Sequence, residues 1–345
     1  MLGRPYPVSE QALALHRDSL VLDCHSHFLI NGTLFRRKFH QRAPRPWIYN
    51  IFKNQLDLES AVRGGVNALS FTTYLPGPPL NFHADISTEH SLDRYAEILD
   101  ECAGKLVHCT SPAEIRAAVV RGKLATFLSI EGGHVLKGNI KNLEGLYRRG
   151  VRMLTLTHFI SNGIADASYS PYRPLQGISD FGRDVVREME RLGMIVDVAH
   201  CTDKALLQVL KTASRPVIYS HGALQRYKKG FERNLTDDLA REITRSGGLI
   251  GIIFFHRYLG SAGWTMRAVG RHAADLADLC GPDALCVGTD LDGGTYTPWG
   301  FYDASDWPQF TQVLLDFGFS EQEIKGILGE NFLQWWDTRF KLPLP

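Results

Sequence analysis

Residues 124–131, LATFLSIE, form an apolar run that closes on a carboxylate and is followed by two glycines. A continuous rather than alternating apolar run of this length reads as a β-strand covered on both faces. Such strands belong to parallel sheets, whose members are joined by helical crossovers. The same pattern returns on either side of the run. Upstream lie SLVLDCH (19–25) and VNALSFTTY (66–74). Downstream lie VRMLTLTH (151–158), MIVDVAH (194–200), RPVIYSH (215–221), GLIGIIFF (248–255) and ALCVGTDLDG (284–293).

Helical patterns with start signals separate these runs. Ser111-Pro112 opens one, Thr202 and Thr236 open two more, and 180–193 carries apolar residues at 181, 185, 186, 189 and 192 before Gly193. Eight strand–helix units over about 275 residues predict a (β/α)8 TIM barrel, as one domain spanning 1–345 with two extra helices in the tail 319–345. An open doubly wound sheet is the rival, but no GxGxxG follows the first strand. The segment 30–55, rich in aromatics, Pro and Arg, reads as a lid loop over the barrel mouth. Its Arg36, Arg37, Arg42, Arg45 and Trp47 either meet an anionic substrate or stand in solvent.

A formal net charge of +1 without a basic block gives no reason to expect nucleic acid or an anionic membrane surface as partner. No apolar run is long enough to span a membrane, and the first twenty residues lack the core of a secretory signal. The six cysteines are scattered without CxxC spacing, which favours reduced thiols. The expectation is a cytoplasmic enzyme with no membrane anchor.

In a barrel of this kind, side chains past the C-terminal strand ends converge on one face. Those positions carry His25, His27, Glu131, His158, His200, His221 and Asp290. A lone histidine there is ordinarily a hydrogen-bonded core residue, but five imidazoles and two carboxylates at equivalent points of a repeat are the donor set of zinc and similar metals. Their number exceeds what one catalytic metal takes, so a two-metal centre is expected, with Glu131 able to bridge. Two metals about 3.5–4 Å apart share a hydroxide and polarise a carbonyl together. Asp292, two residues beyond Asp290, competes for the same role; Asp23 either supports a ligand or caps a barrel layer.

The stretches SIEGGH (129–134), LTLTHFISNGIADAS (154–168), VDVAH (196–200), VIYSH (217–221), RNLTDD (233–238), GTDLDG (288–293) and GENFLQ (329–334) resemble the membrane (renal) dipeptidase family of the amidohydrolase superfamily, in family order. The resemblance implies two divalent metal ions, most often Zn²⁺, and a dipeptide substrate, and many relatives are homodimers. It implies that Glu131 bridges the metals, that His25 and the residue at 27 hold the first with Asp290 close by, and that His200 and His221 hold the second. A bridging hydroxide attacks the amide carbon, and Asp290 passes its proton to the leaving amine. His158 stabilises the oxyanion and Arg233 takes the substrate carboxylate. Two departures stand out. Many members carry Asp where this chain has His27, which leaves one positive charge over and implies a weaker first metal. Phe255 stands where members often present Tyr, so the substrate loses one hydrogen bond. The rival readings are another small amide, an N-acyl amino acid or a lactone as substrate, and a barrel that binds a ligand without catalysis.

Overall fold

Nine parallel strands make one sheet among the described residues of this computed structural model, which are 4–42, 54–74, 84–261 and 263–340. They are β1 (Leu22–Ser26), β2 (Ala68–Thr73), β3 (Leu106–His108), β4 (Leu124–Glu131), β5 (Val151–Thr155), β6 (Ile195–Asp197), β7 (Ile218–Gly222), β8 (Leu249–Ile252) and β9 (Leu285–Val287). Eight follow one another round the barrel in the order β1-β2-β4-β5-β6-β7-β8-β9. The remaining strand, β3, was not foreseen. It pairs with Leu124–Thr126 at the start of β4, and β5 takes over from Leu128 onward. Since β2 holds the other edge of β4 over Ala125–Ile130, β3 and β5 share one edge in turn.

The seam between β9 and β1 is closed by the chain just past both strands. Asp290 donates its N–H to His25 O at 2.9 Å, and His27 donates to Leu291 O at 2.8 Å. Asp23 fastens the seam from inside: its carboxylate accepts from Thr289 N at 3.0 Å and from the Thr289 hydroxyl. Burial pushes the Asp23 carboxyl up to about 7.

The barrel interior is graded from apolar to polar. Its lower layer takes a residue from every one of the eight strands, among them Leu22, Ala68, Phe127, Met153, Ile195 and Cys286. The C-terminal helix Asn331–Arg339 plugs this end, with Phe332 and Trp336 against Phe127 at 5.7 and 5.3 Å. Above it comes a layer of hydroxyls: Ser70, Thr72 and Ser129 lie 2.6–3.0 Å from one another. On the far side Asp197 gathers Thr155 Oγ1 at 2.5 Å, Ser220 Oγ at 2.6 Å, and the N–H groups of Ala199 and Ser220 at 3.0 Å. Gly251 and Gly288 make room for that layer, since a Cβ on either would meet Ser220 O at 1.7 or 2.1 Å. Outside, the crossover helices are capped by Ser111, Thr202 and Thr236 as expected, and Ser179 caps the helix Asp180–Leu192. No described helix is long and apolar enough to cross a membrane, and the six cysteines are free.

Two expectations need correction. His158, His200 and Asp290 do not end or lie in strands; each stands three residues beyond its strand, because β5, β6 and β9 stop at Thr155, Asp197 and Val287. The segment 30–55 is not a loop throughout. Phe28–Leu34 is a helix, while 43–53, with Arg45 and Trp47, lie outside the described residues. Its described arginines are engaged within the protein: Arg36 with Glu97 at 3.2 Å, Arg37 with Asp292 at 3.9 Å, and Arg42 with Asp57 and Asp303 at 2.9 and 2.8 Å.

Asp197 accepts four hydrogen bonds inside the barrel, so Asp197→Ala strands buried donors on three strand ends. The variant is expected to lose about 3 kcal/mol of stability. Urea denaturation checks this: the midpoint falls with an unchanged slope. An unshifted midpoint would contradict the assignment.

Candidate metal centre

All seven residues expected at the strand ends meet around one carboxylate. Glu131, the last residue of β4, is buried and stands at the centre of five imidazoles. Its Oε1 is 2.9 Å from His200 Nε2 and 3.5 Å from the Nε2 atoms of His25 and His221. Its Oε2 is 3.3 Å from His158 Nε2 and 3.7 Å from His27 Nε2. Asp290 reaches His27 Nε2 at 3.1 Å, and the Nε2 atoms of His25 and His27 are 3.0 Å apart.

Backbone conformation aims these groups. Pairing between β1 and β2 shifts register between Asp23 and Ser26, which breaks strict alternation. His25 and His27 thus both turn into the mouth, while Leu22 and Cys24 belong to the interior layer below. His200 and Asp290 take left-handed backbone angles, φ 65° and 63°. Such angles cost about 1 kcal/mol in a residue with a Cβ, and here they redirect side chains that have already left their strands. Ser220 Oγ donates to Asp197 and lies 2.8 Å from His221 Nδ1. The Nδ1 of His221 therefore carries the proton and its Nε2 lone pair faces Glu131.

Three overlapping groups keep their donor atoms within 4.8 Å of one another: His25, His27 and Asp290; His25, Glu131 and His221; Glu131, His158 and His200. Imidazole nitrogen with carboxylate oxygen suits zinc and its neighbours. Glu131 Oε1 has no regular hydrogen bond despite full burial, as befits an atom whose partner is a cation. By geometry alone His158, at 3.3 Å, comes nearer to Glu131 than His25, His27 or His221, and of the five rings His200 is nearer still.

The electrostatics agree. Burial, then the His27 charge, pushes His25 down to about 3. Burial also drives His158, His200 and His221 well below the usual imidazole range, helped by the cations around them. These rings are neutral at pH 7, so each keeps one ring lone pair, which on His200 is engaged by Arg233 in the metal-free chain. His27 is pulled up: burial opposes its charge, but the Asp290 hydrogen bond and the surrounding carboxylates outweigh it. Glu131 is pushed up to about 8 by burial, so in the metal-free chain it holds a proton at neutral pH.

The other expected residues are placed as follows. Arg233 lies behind His200, fully buried, donating to His200 Nδ1 at 3.2 Å, Tyr219 Oη at 2.7 Å and His221 O at 3.0 Å. Phe255 is on the wall of a cavity of about 540 Å³ above the centre, with Tyr74, Phe159, Tyr169 and Tyr258. Asp292 faces away from the metal groups; its carboxylate accepts from Gln55 N at 2.8 Å and pairs with Arg37. His134, which ends the SIEGGH stretch, belongs to none of the three groups, and among the described residues neither of its ring nitrogens has a hydrogen-bond partner. Sequence reading missed Tyr74, whose ring lies 4.6 Å from His158 and 5.1 Å from His27. It directly follows β2, so the strand-end rule applied there would have found it. Tyr169 and Tyr258 sit in loops and gave no such signal.

Eight parallel strands carrying this donor set at their C-terminal mouth define a metal-dependent hydrolase of the barrel type. The match to known proteins narrows it. The chain belongs to the membrane dipeptidase family, peptidase family M19, whose sequence model covers residues 9–341. It is a metal-dependent peptide hydrolase. Among solved structures it is similar to the probable dipeptidase PvdM from Pseudomonas aeruginosa, with 21% identity, TM-score 0.85, and 95% of this chain and 97% of that one covered. An amidohydrolase from Pseudomonas aeruginosa matches at 22% identity and TM-score 0.79, covering 96% and 99%. A metallopeptidase from Rhodobacter sphaeroides, liganded with a phosphinate mimic of the dipeptide L-Ala-D-Ala, matches at 22% and 0.84, covering 94% and 100%. At these identities the structural likeness speaks for the fold.

A cation entering the centre must displace the Glu131 proton, so affinity rises with pH up to about 8. The apparent zinc dissociation constant is expected to fall about tenfold per pH unit between about 6 and 8, then level off. A chelator-competition titration measures it, and a flat profile would mean that the carboxylate is ionised beforehand.

Proposed function

We propose that the protein is a binuclear, zinc-using dipeptidase. The observation that carries this reading is the single buried carboxylate ringed by five imidazoles, at the floor of an aromatic cavity large enough for a small ligand. His25, His27 and Asp290 would hold one cation, His200 and His221 the other, and Glu131 both. When bound, the pair supplies an activated water and polarises the scissile carbonyl.

The chain's own residues do the rest. Asp290, the least enclosed of the acids around the centre, accepts the proton of the attacking water and returns it to the leaving nitrogen. His158, neutral and facing the cavity beside Tyr74, donates to the oxygen that gains charge as the carbonyl carbon becomes tetrahedral. Arg233 directs four of its five N–H groups at His200, Tyr219 and His221, and the remaining one is left for the substrate's terminal carboxylate. The phosphinate-bound relative supports a dipeptide-like substrate for this site. Phe255 favours a second reading, a small amide or N-acyl amino acid that makes fewer polar contacts.

A panel of L-L and L-D dipeptides with N-acyl amino acids separates the two. Glu131→Gln is expected to lose most bound metal, measured by elemental analysis, and all dipeptide turnover. His158→Asn is expected to keep its metal while kcat falls about a hundredfold. Retained turnover in metal-depleted Glu131→Gln would end this reading.

Replacing His27 by Asp adds the anionic donor that many relatives carry. Zinc titration of the wild type is expected to resolve a tight and a weak site, and His27→Asp is expected to strengthen the weak one. Two equal, tight sites in the wild type would contradict this.

A further inference from the structure

Among the described residues, the wall of the cavity carries a single Lys or Arg side chain, Arg257. It stands in the short 3-10 turn His256–Tyr258, just after Phe255, and is exposed. Neighbouring arginines are engaged by the protein. Arg173 pairs with Glu232 at 2.6 Å and donates to Ser168 O and Ser170 O, and Arg233 is held behind His200. Arg257 has no ion pair and no hydrogen bond among the described residues, although acidic and carbonyl partners are the usual fate of a guanidinium. Beside it on the same wall, Tyr169 donates to Tyr258 across 3.0 Å; burial pushes the Tyr169 hydroxyl up, and the nearby Arg257 charge opposes that rise. The acids that share the cavity are Glu131 and Asp290, both committed to the metal centre on its floor.

A planar fork of donors, left free on an otherwise aromatic wall, is complementary to a carboxylate. The substrate's terminal carboxylate is already accounted for by Arg233, on the His200 side of the centre. We infer that Arg257 is a specificity residue that receives a second substrate carboxylate, so that the preferred substrates carry an aspartyl or glutamyl side chain. The inference rests on the dipeptidase reading and names its substrate class. Substrates of this kind supply two anionic groups, one for each arginine, and leave the aromatic rings to cover the carbon chain between them.

The test uses the metal-loaded full chain and pairs of dipeptides that differ only in acid against amide: Ala-Glu with Ala-Gln, Glu-Ala with Gln-Ala, each with L and D residues at the second position. In the wild type at least one acidic member is expected to exceed its amide partner about tenfold in kcat/KM, chiefly through KM. Arg257→Met, which keeps an unbranched apolar chain, is expected to collapse that ratio to about one, and Arg257→Lys to restore part of it. The ratio is also expected to shrink as salt rises. Absence of an acid preference in the wild type, or its survival in Arg257→Met, would overturn the inference. So would an equal loss for acid and amide members, which would give the terminal carboxylate to Arg257 instead. If no dipeptide is turned over, calorimetry with phosphinate dipeptide mimics bearing Glu or Gln side chains still decides. About tenfold tighter binding of the acidic mimic, lost in Arg257→Met, supports the carboxylate site and places the failure with the dipeptidase reading. Equal binding of the two mimics refutes the carboxylate site itself.

Discussion

A carboxylate buried at the meeting point of five imidazoles is unfavourable by itself. Glu131 has lost its water, its Oε1 has no regular hydrogen bond, and burial makes it hold a proton to about pH 8. Of the rings around it, His25, His158, His200 and His221 are pressed into their neutral state by the same burial. A cation resolves both penalties at once, since it supplies positive charge to the acid and a partner to each lone pair. The barrel exists in a form that makes this cluster possible, and much of its interior follows from that need.

The gradient along the barrel axis is the clearest consequence. An apolar lower layer with the C-terminal helix beneath it gives rigidity, whereas the site above needs polar groups held without slack. The hydroxyl and carboxylate layer lies between. Asp197 draws β5, β6 and β7 together and, through Ser220, sets the proton position on His221. Asp23 does the corresponding work at the seam, where the chain carrying Asp290 meets the chain carrying His25. Neither acid touches the metal centre's Nε2 ring, yet both position those that do.

The cavity wall has a different character from the floor. Among the described residues, Tyr74, Phe159, Tyr169, Phe255 and Tyr258 give it an aromatic lining, with Arg257 beside them. Family membership fixes the reaction class as metal-dependent peptide hydrolysis. The two departures from the family pattern, His27 and Phe255, stand at the centre and on the cavity wall respectively.

Residue order alone determined the repeat and its chemistry. Strands buried on both faces announce themselves by unbroken apolar runs, and the histidines and acids at their ends stand out because so few side chains there are otherwise ionisable. β3 escaped notice because three residues, Leu106–His108, are too few for a pattern. What only tertiary structure decided was where each side chain came to rest. The left-handed turns at His200 and Asp290, the withdrawal of Arg233 behind His200, and the departure of Asp292 toward Arg37 and Gln55 all depend on partners far away in the chain. Periodicity is a local property and can be read along the chain, whereas aim and pairing are set by which distant groups share the same buried space.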